Sequence, residues 1–261
     1  WKQYSGVWTM QSQMQAVSAG TWTGFPYLWG WGRNDYGQLG LSNVTYYSSP
    51  KQIGALTNWS SIACGIYHIV SIKTDGTLWS WGYNNNGQLG QGNVTNYSSP
   101  KQVGALTNWL SVSCGYYHTV SIKTDGSLWS WGRNSYGQLG QGNITNYSSP
   151  KQVGALTTWS SVACGYYHTV SIKTDGTLWS WGRNSQGQLG LGNTTNYSSP
   201  KQVGALTNWL SVSCGSYHTV SIKTNGTLWS WGYNNNGQLG LGNITYYSSP
   251  KQVGALTNWS S

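Results

Sequence analysis

WGYNNNGQLGQGN, residues 81–93, is the stretch that decides the fold, because it returns along the chain at a fixed interval. Trp31, Trp131, Trp181 and Trp231 each open a copy with few substitutions. Cys64, Cys114, Cys164 and Cys214 keep the same fifty-residue spacing, as do His68, His118, His168 and His218, and Pro50, Pro100, Pro150, Pro200 and Pro250. A strict period in this range marks one supersecondary unit that is stacked or set in a circle. Each residue type then forms a ring or ladder of equivalent positions. An enzyme usually needs one asymmetric constellation, so the periodicity points towards binding or structure.

One period, residues 107–154, reads as strands. In WLSVSC (109–114), Leu110, Val112 and Cys114 alternate with Trp109, Ser111 and Ser113, the period of two that a strand requires. Gly115 breaks the pattern. HTVSIK (118–123) places His118, Val120 and Ile122 on one face and Thr119, Ser121 and Lys123 on the other. Asp125-Gly126 signals a hairpin turn whose two central residues want positive φ, and Asn225-Gly226 meets the same demand in a later copy. The next strand, 128–131, sets Trp129 and Trp131 on one face. A glycine-rich loop follows, 133–142, and then a short outer strand, 148–154, whose Pro150 is tolerated at an edge. Four strands per period without a helix predict an all-β protein, a β-propeller of four-stranded blades with about five blades in this chain.

The composition agrees. Charged residues make up 7% of the 261-residue chain, against 36 Gly, 18 Trp and 19 Tyr. Short strands joined by tight turns and packed through large rings have this composition; disordered chains do not. The net charge of +9, from 13 basic and 4 acidic residues, permits attraction to anionic partners. The lysines fall into two periodic sets without a basic run, which argues against nucleic acid. No apolar stretch reaches the roughly 20 residues of a membrane span. No signal peptide is visible, and the opening on Trp1 with a stop inside a repeat is expected of a processed or partial chain. The cysteines, one per repeat, are expected as mostly buried thiols too far apart for disulfides. Residues 1–28 form a lead-in, a short helix (Met10, Met14 and Val17 at i, i+4, i+7) or a degenerate half-blade, and 29–261 form the repeat domain.

The run CGYYHTVSIKTDGSLWSWG (114–132), the GQLG at 137–140 and the pair Ser149-Pro150 recur together. In these features the chain resembles the regulator of chromosome condensation repeat family from Trp29 to Ser261. The resemblance implies a β-propeller, typically of seven blades. The family's founding member exchanges nucleotide on a small GTPase through an inserted wedge and binds chromatin; no period here carries an insertion. Plant ultraviolet-B photoreceptors of the family use a Gly-Trp-Arg-His-Thr motif, and the matching places here read GYYHT (115–119) and GSYHT (215–219), which argues against photoreception. A secreted β-lactamase inhibitor with this fold shows the scaffold serving as a protein-binding surface. The lead-in, GVWTMQSQMQAVSAGTWTG (6–24), is loosely similar to the opening of marine bacteriophage propeller-repeat proteins, which implies a virion component.

Catalytic and metal chemistry find little support. The acids are Asp35, Asp75, Asp125 and Asp175, and three of them sit in Asp-Gly turns, which leaves no carboxylate pair and no Ser-His-acid set. The glycine-rich loop lacks the Lys-Ser or Lys-Thr of a P-loop. One Cys and one His per blade do not converge as the four ligands of zinc must. Each His is expected to make a buried hydrogen bond that pins a loop to the next strand. No cofactor is expected. Positions 60 and 63 vary together (Ser60/Ala63, Leu110/Ser113, Ser160/Ala163, Leu210/Ser213), which suggests duplication of a two-repeat unit. The loop after Trp-Gly also varies, and its residues are the candidate contacts: Arg33, Tyr36, Tyr83, Asn85, Arg133, Tyr136, Arg183, Gln186, Tyr233 and Asn235. Their rings and amides suit sugars or peptides. The expected role is a non-enzymatic, multivalent binding or structural module, extracellular or on a virion (fibre, decoration or adhesin), that contacts a protein or glycan surface, other virion subunits or copies of itself. The alternative is an intracellular adaptor that binds one protein partner on a propeller face.

Overall fold

In the computed structural model, residues 27–55 and 57–260 are described; the helix or half-blade expected in the lead-in lies outside them. Strands β1 (Trp29–Gly32) and β2 (Tyr47–Gln52) form a two-stranded sheet. Four sheets of four strands follow. The first holds β3 (Trp59–Cys64), β4 (His68–Lys73), β5 (Leu78–Gly82) and β6 (Tyr97–Gln102). The second holds β7 (Trp109–Cys114), β8 (His118–Lys123), β9 (Leu128–Gly132) and β10 (Tyr147–Gln152). The third holds β11 (Trp159–Cys164), β12 (His168–Lys173), β13 (Leu178–Gly182) and β14 (Tyr197–Gln202). The fourth holds β15 (Trp209–Cys214), β16 (His218–Lys223), β17 (Leu228–Gly232) and β18 (Tyr247–Gln252). Strand order within each sheet is the chain order, and all pairs are antiparallel. These are the blades of a propeller, about five, the first represented by its third and fourth strands.

The period of two does not separate core from solvent in the second strand of a blade. Every residue of β8 is buried, because each face meets a different neighbouring blade. Val120, Ile122, Leu128 and Val153 pack against Trp159 and Trp181 of the next blade. Trp109 and Trp131 pack against Val70, Ile72, Leu78 and Val103 of the preceding one. Each blade therefore has an aliphatic face and a tryptophan face, and the core is a series of identical joints between them. Trp81, Trp131, Trp181 and Trp231 have no exposed surface. Each donates its indole N–H to the backbone of the preceding blade: Trp131 Nε1 to Gln88 O at 2.9 Å, Trp181 Nε1 to Gln138 O at 2.9 Å.

The histidines make buried hydrogen bonds, as expected, but the partner is a threonine of the next blade and not a strand of their own. His68 Nε2 lies 3.1 Å from Thr119 Oγ1, and His118 Nε2 lies 3.2 Å from Thr169 Oγ1. Thr169 Oγ1 in turn donates to Gln138 O at 2.9 Å. The imidazole ring lies on Gly115, where a Cβ would stand 2.1 Å from His118 Cε1, so the Cys-Gly pair makes room for the histidine that follows. Replacing Thr169 by valine keeps the shape and strands the His118 nitrogen, while Gln138 O keeps the Trp181 indole N–H, at an expected cost of about 1–3 kcal/mol. Urea titration of the variant checks this, with Thr174→Val, outside the joint, as the comparison.

The turn between the second and third strands differs from the two-residue form expected. Gly126 has φ of 76°, but Asp125 is absent from the positive-φ residues, of which Ser42 is the one non-glycine described. Gly126 N donates to Lys123 O and Lys123 N to Ser127 O, so three residues span the hairpin and only the glycine needs the left-handed region. Asp125 contributes through its side chain, with Oδ1 accepting from Ser127 N at 2.9 Å and Ser127 Oγ at 2.6 Å. Asn225 Oδ1 does the same for Thr227, which is why an amide replaces the acid there without loss.

Candidate binding face

In an antiparallel four-stranded blade, the turn joining strands one and two and the loop joining strands three and four leave at the same end. That end carries the Cys-Gly-x-Tyr-His turns and the Trp-Gly loops together. The loops rest on a buried frame. Asn84 Nδ2 donates to Asn93 O and Thr95 O, and its Oδ1 accepts from Leu89 N. Gly137 brings the loop against the next blade so closely that a Cβ would lie 2.4 Å from Ser198 Cα. The frame residues repeat in every copy, and the residues between them project from it.

What projects is mostly tyrosine. Tyr36 meets Tyr83 with ring centroids 4.6 Å apart, and Tyr83 meets Tyr117 at 5.5 Å. Tyr117 meets Tyr116 at 4.2 Å, Tyr116 meets Tyr166 at 4.9 Å, and Tyr166 meets Tyr217 at 5.3 Å. Tyr217 reaches Tyr233 at 6.2 Å, and Tyr233 reaches Tyr246 at 4.9 Å. The rings form an unbroken arc of tilted and edge-to-face contacts across all the blades, the geometries in which aromatic pairs attract. Arginines lie over it: Arg33 over Tyr67 at 5.3 Å, Arg133 over Tyr167 at 5.5 Å, and Arg183 over Tyr136 at 5.2 Å and Tyr217 at 5.3 Å. Arg33 is ion-paired with Asp35, the one salt bridge among the described residues. Arg133 and Arg183 instead donate through Nε to Ser135 and Ser185 and keep an unneutralised charge on a half-buried aromatic floor. Burial raises the hydroxyl pKa of Tyr117 and Tyr167, so these rings stay neutral hydrogen-bonding groups.

The arc borders a cavity of about 410 Å³ lined by Cys64, Cys114, Cys164 and Cys214, their glycines, Ile66, Tyr116, Tyr166 and Ser216. No disulfide joins the cysteines. They are half-buried, less than expected, because they line this cavity at the edge of the joints they also pack against. Cys114 Sγ donates to Ala63 O at 3.6 Å and Cys164 Sγ to Ser113 O at 3.6 Å. Desolvation pushes the thiols of Cys64 and Cys164 up to about 12, which makes them poor nucleophiles and poor metal ligands at neutral pH. Among the described residues no group of three or more His, Cys, Asp or Glu converges as a metal site.

Of the candidates read from the sequence, Arg33, Tyr36, Tyr83, Arg133, Tyr136, Arg183 and Tyr233 all stand in the arc. Asn85 and Asn235 are exposed beside it, and Gln186 is half-buried with its backbone N–H held by Gln188 Oε1. The sequence reading missed Tyr67, Tyr116, Tyr117, Tyr166, Tyr167, Tyr217 and Tyr246. The tyrosine doublet beside Cys-Gly was a visible signal. Strand count alone places that turn at the loop end.

A family model described as the RCC1-like domain matches residues 9–261. The chain belongs to this RCC1-like family. No curated protein sequence matches it. Among solved structures it is similar to human WBSCR16 (24% identity, TM-score 0.77, covering 87% of this chain and 62% of that one). It is also similar to yeast RCC1 (Prp20) bound to Kap60 (22% identity, TM-score 0.79, 88% and 57%). A third is Prp20p of Saccharomyces cerevisiae, described with its binding to Gsp1p and histones (24% identity, TM-score 0.77, 88% and 59%). At these identities the likeness establishes the shared propeller, and this RCC1-like chain spans about 60% of the length of those proteins.

Proposed function

We propose that the chain is a protein-interaction module without catalytic chemistry, and that the tyrosine–arginine face binds an acidic segment of a partner protein. The observation that carries this reading is the unbroken ring arc with Arg133 and Arg183 laid on it and no carboxylate opposite either. Tyrosine and arginine supply contact area with little lost side-chain freedom, which is why they dominate interface hot spots. The net charge of +9 steers acidic partners towards the face. Repetition of the contact around the arc adds avidity for a partner that spans several blades.

Of the two roles expected from the sequence, the protein-binding adaptor is the better supported. The solved structures similar to this chain include one bound to Kap60 and one described by its binding to Gsp1p and histones. Nothing in the comparisons supports a fibre, adhesin or virion component, or a glycan ligand. A display selection of extended peptides on the full chain is expected to enrich acidic aromatic sequences. The double change Arg133→Ala and Arg183→Ala should weaken the selected peptides at least about tenfold, and raised salt should weaken them further. Selection of neutral glycans alone on an array, with no acidic peptide retained, would sink the proposal.

A further inference from the structure

The end of each blade opposite the tyrosine arc carries the start of its first strand and the close of its second. There, at the mouth of the joints, lies a pocket. Counted from the β1–β2 sheet, the fourth joint sets the sheet of β11–β14 against that of β15–β18. Its pocket measures about 350 Å³ and is walled by Leu191, Val203, Leu206 and Pro250. The charged group in it is Lys223, whose ammonium lies 3.6 Å from the ring centre of Trp229 and 4.8 Å from that of Trp209. Lys223 is 5% exposed. Its ammonium donates to no oxygen among the described residues, yet it is not fully covered. What stays open of this lysine is therefore its charged end, with N–H donors to spare in a mostly apolar pocket. The third joint holds the equivalent pocket, about 390 Å³ around Lys173, Trp159 and Trp179, so the feature belongs to the repeat and is open in mid-chain.

The joints share one framework, and two substitutions at the fourth mouth act in the same direction. Asp75, Asp125 and Asp175 each lend a negative field to the lysine two residues before them, Lys73, Lys123 and Lys173. Asn225 takes that place beside Lys223, and no acid acts on its ammonium. At the wall, Gln91 and Gln141 of the second and third joints are tied by their amides to Ser80 and Ser130. Leu191 packs instead with Val203 and Trp209. Leu41 stands there in the first joint, but with Asp75 still beside its lysine. We propose that the pocket of the fourth joint binds a small apolar carboxylate, its charge on the Lys223 ammonium and its hydrocarbon body against Leu191, Val203 and Leu206. Charge complementarity selects the class. One ammonium lines the pocket with no second cation, which suits a singly charged anion and not a phosphate dianion. A charge-assisted hydrogen bond in such a partly desolvated place is strong, and the walls favour hydrocarbon over the hydroxyls of a sugar. A free aliphatic acid and the C-terminal residue of a peptide share this chemistry.

Calorimetric titration of the full chain with octanoate is expected to show one strongest site per chain. The indole N–H signals of Trp209 and Trp229 should move in the NMR spectrum before those of Trp159 and Trp179. Octanamide, with the same shape and no charge, should bind at least about tenfold more weakly. Asn225→Asp and Leu191→Gln put into this pocket residues that its sister joints already carry, so neither threatens the fold. Each should weaken octanoate about threefold or more, and the double variant should lose the preference for this joint. A short peptide ending in leucine, with a free carboxylate or as its C-terminal amide, separates the two sources. Tighter binding of the free-ended peptide than of octanoate assigns the pocket to a chain end, and the reverse order assigns it to a free acid. Failure of both octanoate and the free-ended peptide to bind would overturn the proposal. So would octanamide binding as well as octanoate, or an unchanged affinity in the double variant.

Discussion

Between pH 6.5 and 5, the stability of the chain is expected to fall by up to about 4 kcal/mol per pH unit, a far steeper loss than carboxylate titration gives in that window. His68, His118 and His168 are fully buried at the joints, and desolvation holds each pKa down to about 3. In the unfolded chain an imidazole titrates near 6.5. Between the two values the unfolded state binds protons that the folded state refuses, so stability drops as pH falls through the window and the loss ends near the folded pKa. One such group contributes about 1.4 kcal/mol per pH unit, and three add to about 4. The carboxyls of Asp75, Asp125 and Asp175 are held below their usual range by hydrogen bonds from Thr77, Ser127 and Thr177. Their loss begins lower, so the interval above pH 5 isolates the histidines. Urea titrations at pH 7, 6 and 5 check the slope, and His118→Gln should reduce it by about a third. Equal stability at pH 7 and pH 5 contradicts the reading.

Trp181→Ala is expected to cost about 3–5 kcal/mol, the range for deleting a large ring from a closed core. The indole has no exposed surface, it sits among Val120, Ile122, Leu128 and Val153 of the preceding blade, and its N–H is bonded to Gln138 O. The void would fall within one joint, where Gln138 O keeps the Thr169 hydroxyl as a donor, so the damage should be local. Hydrogen exchange should rise in β8, β9, β12 and β13 and stay low in β4 and β5, because each blade of such a series touches only its neighbours. Trp179→Ala, at a half-buried ring under Lys173, is the comparison and should cost less. A Trp181→Ala chain within 1 kcal/mol of the parent, or protection lost uniformly, would refute the account.

The repeat made the strands legible, since alternation, the Gly breaks and the Pro position placed all four strands of a blade close to their observed ends. It did not reveal what alternation meant. In β8 both faces are buried, so apolar and polar positions report which neighbour a residue meets and not whether it meets water. Alternation put Thr119 on the face opposite His118 without saying what that face meets, and there it is the partner of His68. Lys123, read on the same face, is also buried, its ammonium 3.8 Å from the Trp129 ring centre. Ring faces answer this charge, and no sequence pattern announces such a partner. The variable loop gave half of the candidate face. Tyr67, Tyr117, Tyr167 and Tyr217 recur without change and so do not stand out as variable contacts, although the position before them varies (Ile66, Tyr116, Tyr166, Ser216).

Because every joint sets an aliphatic plate against the same tryptophan plate, the array has a direction but no privileged position. Deleting or duplicating fifty residues in frame removes or adds one coupling and leaves the survivors chemically identical. Length is therefore a property this gene can change by a single recombination between its own copies, with no new interface to invent and with the span of the tyrosine surface growing or shrinking in step.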